Sequence, residues 1–115
     1  VNTLSKEAGA NFKEIRKIKT LTLNSVIENS DFKNKEVDFL SVDVEGTEID
    51  VLQGLDFEKY KPKLIVLEFL DQNYKEYHHL NLDIILSSKI NKFMKNQRYK
   101  LINWIHDDLV YVPEK

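Results

Sequence analysis

The chain has no cysteine among its 115 residues. Disulfides, thiolate metal sites and cysteine nucleophiles are therefore excluded. The absence fits a reducing compartment, and a cytoplasmic location is the expectation. Glycine is scarce: Gly9, Gly46 and Gly54 are the full set. These residues hold no G-x-G-x-x-G, no P-loop and no G-x-S-x-G, so a glycine-rich nucleotide cradle is excluded from them. A basic excess is lacking too. Seventeen Lys and Arg against nineteen Asp and Glu leave a net charge of −2, without the electrostatic footprint of a nucleic-acid binder. The lysines are scattered rather than blocked, which argues against a polybasic membrane patch. No apolar run approaches the roughly 20 residues that cross a bilayer, so no membrane span is expected. No secretory leader pattern is visible.

What is present suits one packed domain over 1–115. Apolar residues make up 42 % of the chain, enough for a core at this length. Residues 1–14 are polar and read as loop. Ile15 to Leu21 mixes β-branched and basic residues and predicts a half-exposed strand. Thr22 then caps a short helix through Val26 and Ile27. Glu36 to Asp43 predicts a strand apolar on both faces, hence central in a parallel sheet. Thr47, with Asp50 as capping partner, opens a helix that Gly54 stops. Lys63 to Phe69 is a second central strand. Leu82, Ile85, Leu86, Ile90, Phe93 and Met94 recur at helical spacing and predict one amphipathic helix over 82–96. Tyr99 to Ile105 and Leu109 to Val112 predict a hairpin around His106-Asp107-Asp108. The order is β-α-β-α-β-α-β-β: an α/β fold, mostly parallel, with a C-terminal antiparallel hairpin.

The chemistry gathers where apolar strands stop at acids. Val37 to Val42 ends at Asp43, followed by Glu45, Gly46 and then Glu48 in the first helical turn. Open α/β sheets keep their ligands at such strand ends. Glu45 and Glu48 are also placed well to stabilise a turn and a helix start, so a local role stands beside a functional one. Glu68 closes the neighbouring apolar strand. Paired parallel strands lie about 4.8 Å apart, so Asp43 and Glu68 are expected to face one crevice. There they suit hydroxyl or amino groups of a ligand. Oxygen ligation of a divalent metal is the weaker alternative, and no metal is assigned. His78 and His79 follow the second apolar strand in a polar stretch, where one of them is a candidate general base and a plain surface loop is the competing reading. Trp104 and Tyr111 read as core.

The stretch Val37-Asp38-Phe39-Leu40-Ser41-Val42-Asp43-Val44-Glu45-Gly46-Thr47-Glu48, continued by Ile49 to Leu55, closely resembles the signature of FkbM-type methyltransferases. That signature is an apolar strand, Asp-x-Glu-Gly-x-Glu, an apolar pair and a Leu-x-Gly end. Pro62 and Leu64-Ile65-Val66-Leu67-Glu68 resemble the family's next strand. Thr20-Leu21-Thr22-Leu23 resembles its Thr-Leu-Asp helix start, with Asn24 where an acid is usual. Tyr99-Lys100-Leu101 resembles its Gly-Tyr strand start, with Arg98 in place of the glycine.

The resemblance implies a Rossmann-like class I sheet of order 3-2-1-4-5-7-6, of which these segments look like strands 4 to 7, the C-terminal half. The first half would carry the glycine-rich turn and the acid that grips the cofactor ribose. Binding of S-adenosylmethionine by these residues alone is therefore expected to be weak or absent. The implied reaction is O-methylation of a glycan, lipid or small-metabolite hydroxyl. Asp43, Glu45, His78 and His79 are the candidate catalytic residues. Asp43 and Val44 would lie at the methyl donor, and Glu48 and Glu68 at the acceptor. Two other readings stand beside this one. Asp43-Val44-Glu45 also fits in outline the metal-binding Asp-x-Glu of a nucleotide-sugar glycosyltransferase. A non-catalytic interaction module derived from a methyltransferase is the third. Without a strand 1 beside it, the edge of strand 37–43 is expected to self-associate or to be covered by the Ile15–Leu21 strand.

Overall fold

The computed structural model describes residues 14–69 and 81–115. Residues 1–13 of the expected 1–14 loop, and His78 and His79, lie outside the described residues. Helix α1 spans Leu23–Glu28, β1 Phe39–Val42, α2 Glu48–Gln53 and β2 Leu64–Glu68. After the undescribed stretch come α3 (Leu82–Ser87), α4 (Lys89–Asn96), β3 (Tyr99–Ile105) and β4 (Asp108–Pro113). No described helix is long and apolar enough to cross a membrane.

The sheet has the order β1-β2-β4-β3. Strands β1 and β2 run parallel with Val42 opposite Leu67. Strand β4 is antiparallel to both β2 and β3. Among the described residues the sheet is thus mixed rather than mostly parallel, because the expected first strand is missing from it. Residues 15–21 take no regular structure, and Ile18 is 81 % exposed. Ile and Leu alternating with Arg16, Lys17 and Lys19 give the pattern of an edge strand. That pattern costs nothing in an exposed coil, and no described strand pairs with these residues. Among the described strands β1 is consequently at the edge, uncovered by 15–21.

Register decides which side chains form the core. Leu40, Val42, Ile65, Leu67, Leu109 and Tyr111 share one face, and helical Leu52, Ile85, Ile90 and Met94 join them in a single cluster. Phe39, Leu64, Val66, Val110 and Val112 share the other face and stay half-buried or exposed, Phe39 at 56 %. The expected burial of β1 and β2 on both faces is therefore corrected to burial on one. A one-residue bulge at Ile102 shifts β3 so that Trp104, not Asn103, stands opposite Leu109. This turns the indole toward the core. Its Nε1 donates to the carbonyl of His106 in the hairpin turn. Tyr111 is fully buried, and its hydroxyl donates to Asn91 Oδ1 at 3.1 Å.

The amphipathic stretch 82–96 is two helices, not one. Ser88 adopts an extended backbone (φ −65°, ψ 155°). Its hydroxyl donates to the Ile85 carbonyl at 2.6 Å and accepts from the Asn91 amide at 3.2 Å. One serine thus closes α3 and caps α4, a local competition with helical hydrogen bonding that apolar periodicity does not register. The Thr22 cap forms as expected, its hydroxyl accepting from the Ser25 amide at 3.1 Å. Gly54 does end α2, with an ordinary φ of −82°. Its requirement is space: a Cβ there would stand 3.2 Å from the Leu23 amide nitrogen and Thr22 Cβ. The Gly54 carbonyl accepts from Asn24 at 2.8 Å, which docks the start of α1 on the end of α2. Arg98, which stands where the resemblance has glycine, takes a left-handed φ of 60°, the conformation that glycine holds without strain.

Candidate functional site

The candidate site is built by the turn between β1 and α2. Parallel pairing of β1 with β2 brings both C-terminal ends to one edge of the sheet, so the chain leaves it at Asp43 beside Glu68. The reversal then needs two left-handed residues in succession, Glu45 (φ 55°) and Gly46 (φ 98°). Gly46 is there for its backbone, since a Cβ would meet nothing within 4 Å. Glu45 holds the same region against its side chain's preference.

Thr47 flanks α2, but its hydroxyl makes no helix cap. It donates back to the Val44 carbonyl at 3.2 Å, and Asp50 is exposed rather than serving as a capping partner. Glu48 closes the turn. It is 4 % exposed, and its Oε1 accepts from the amides of Val44 at 3.2 Å and Gly46 at 3.1 Å. Sequence reasoning set Glu48 at the acceptor; the structure folds it inward beneath the turn. Its position directly after Gly46-Thr47, at the first residue of a helix, was the available signal.

Carboxylate oxygens of Asp43, Glu45 and Glu68 lie within 4.8 Å of one another. Asp43 and Glu45 are exposed, whereas Glu68 is half-buried. Oε2 of Glu68 is buried with no hydrogen-bond partner among the described residues. Burial, first, and then the close Asp43 carboxyl and the negative charges of Asp43, Glu45 and Glu48 push the Glu68 carboxyl up to about 7. Crowding of these carboxyls raises the affinity of Glu68 for a proton. They are also the described residues able to hold a hard divalent cation through oxygen. Either way, this rim favours cationic or proton-donating groups.

The sign of the resulting pH dependence follows from the direction of the shift. Glu68 titrates near its ordinary value of 4.5 in the unfolded chain and near 7 in the folded one. Below about pH 4.5 both states hold the proton and no penalty exists. Between about pH 4.5 and 7 the unfolded chain has released its proton while the folded one keeps it. Stability contributed by this group therefore falls as pH rises through that window and stays low above it. Glu68→Gln is expected to remove this slope and to raise stability at pH 8 relative to the parent. Urea unfolding from pH 4 to 8 measures it, and parallel curves for the two proteins would contradict the assignment.

Compared with known proteins, residues 2–101 match the family model described as Methyltransferase FkbM domain. No match was found among the curated proteins or among solved structures.

Proposed function

Because the chain belongs to the FkbM methyltransferase family, we propose that it acts in transfer of a methyl group from S-adenosylmethionine to a hydroxyl of a glycan, lipid or small metabolite. The observation that carries this reading is the rim of Asp43, Glu45 and Glu68 at the C-terminal ends of two parallel strands, inside a domain of that family. Support for a class I, Rossmann-like sheet comes from strand order. The described β1-β2-β4-β3 corresponds to the 4-5-7-6 portion of the order that the family resemblance implies. In this reading residues 1–115 form one domain, the later half of the methyltransferase sheet, and work in the cytoplasm. The open edge of β1 is then where a further strand or a second copy pairs.

The residues present fit the cofactor. S-adenosylmethionine carries a sulfonium and an ammonium group, and the buried Glu68 Oε2 has no hydrogen-bond partner among the described residues. Asp43 and Val44 are the residues assigned to hold it, with Glu68 beside them on the acceptor side. When bound, it supplies an electrophilic methyl group. Asp43 would accept the proton of the acceptor hydroxyl. Glu45 stands next to Asp43 and orients the acceptor. His78 and His79 are the alternative bases. Rigid placement of acceptor oxygen against base is the main contribution that such a site makes.

The test is transfer of a labelled methyl group from S-adenosylmethionine to hydroxyl-bearing sugars and glycans by the intact protein. The expected result is labelled ether product without added divalent metal. Manganese-dependent transfer of a sugar from a nucleotide sugar, with no methyl transfer, would overturn the reading in favour of the Asp-x-Glu glycosyltransferase alternative. Absence of both activities would favour the non-catalytic module.

A further inference from the structure

Glu48 is one of two buried polar or charged side chains among the described residues, with Asn91. Asn91 has a packing explanation: it donates to the Leu86 carbonyl at 3.0 Å and accepts from Tyr111. Among the described residues Glu48 touches no cation, and its Oε1 accepts from the backbone. The two amides it accepts from, Val44 and Gly46, stand on either side of Glu45. That residue is held left-handed, which an L side chain resists because its Cβ crowds the following carbonyl. Thr47 adds a third tie, from its hydroxyl to the Val44 carbonyl. Without these ties the turn has no reason to keep Glu45 strained, nor to hold its carboxyl beside Asp43.

We propose that Glu48 is the positioning residue of the rim: its buried carboxylate anchors the amides flanking Glu45 and thereby holds the Asp43 and Glu45 carboxyls against Glu68. Its catalytic meaning rests on the methyltransferase reading, whereas the geometry does not. The anchor is separable from its charge. Glu48→Gln keeps an acceptor oxygen at the same reach. Glu48→Ala removes it. Glu48→Asp keeps the charge but falls short of the amides, and serves where the alanine variant fails to fold.

Two measurements read the anchor. Hydrogen exchange of the Val44 and Gly46 amides is expected to accelerate roughly 10- to 100-fold in Glu48→Ala and Glu48→Asp, as loss of hydrogen bonds to a charged group implies. Exchange at Ile65 and Leu67 in β2 is expected to stay unchanged. Carbon-detected titration of the Glu68 carboxyl follows its neighbours directly. Near 7 in the parent, it is expected to drop slightly in Glu48→Gln, which removes only the charge of Glu48. In the other two variants Asp43 and Glu45 drift away and the titration falls further, while the part of the shift due to burial remains. In methyl transfer, kcat is expected to fall with KM unchanged for Glu48→Ala and to be restored by Glu48→Gln. A Glu68 titration and Val44 and Gly46 exchange that match the parent in Glu48→Ala or Glu48→Asp would overturn the proposal. Loss of methyl transfer in every variant and the parent, with the spectroscopic order kept, would instead count against the methyltransferase reading alone.

Discussion

Asp43→Asn is expected to slow methyl transfer about 10²- to 10⁴-fold, the range that removal of a positioned general base commonly costs. Asparagine has nearly the same shape, so the strand end and the turn survive. Asp43 is exposed, so no core packing is lost either. What disappears is a group able to take the acceptor proton. The effect should therefore lie in kcat, with KM little changed and the unfolding midpoint preserved. Steady-state kinetics with the labelled methyl donor, beside thermal unfolding, separates these quantities. Unchanged turnover would remove Asp43 from the mechanism and move attention to Glu45.

Leu67→Ala is expected to destabilise the fold by about 2–5 kcal/mol, the range for truncating a fully buried leucine. Leu67 has no exposed surface. It lies between Val42 of β1 and Leu109 of β4 in register, under the helical layer. Val66 is one residue away on the same strand but on the half-buried face. Val66→Ala should cost well under half as much, because its surroundings already admit water. Chemical denaturation of both variants measures the difference. Equal losses would mean that the second face of β2 is packed as closely as the first, contrary to the one-sided burial described above.

The site was more legible in the sequence than the layers around it. An apolar run stopping at an acid, with glycine and a helical pattern after it, has few solutions other than strand, turn and helix. The apolar run before Glu68 places a second carboxyl at the same edge once the two strands are parallel. Glu45 is different. Its approach to the pair depends on a left-handed backbone that residue type disfavours, and so does not announce. Burial of Glu48 was hidden for a related reason: a charged residue at a helix start belongs to the surface unless the turn offers it amides.

The layers were misread where a pattern has two physical realisations. Alternating Ile, Arg and Lys over 15–21 describes an edge strand and an exposed coil equally well. Leu64-Ile65-Val66-Leu67 looks buried on both faces, although only Ile65 and Leu67 reach the core. The periodicity over 82–96 is genuine, yet Ser88 interrupts it through hydrogen bonds rather than through hydrophobicity.

Function is placed at the edge where β1 and β2 end together. A crystal structure of the intact protein with S-adenosylhomocysteine and an acceptor alcohol tests it most directly. The account predicts the acceptor oxygen within hydrogen-bond reach of Asp43, with Glu45 and Glu68 on the same rim and the cofactor sulfur facing that oxygen. Cofactor bound away from the ends of β1 and β2, with Asp43 and Glu68 open to bulk water, would contradict it.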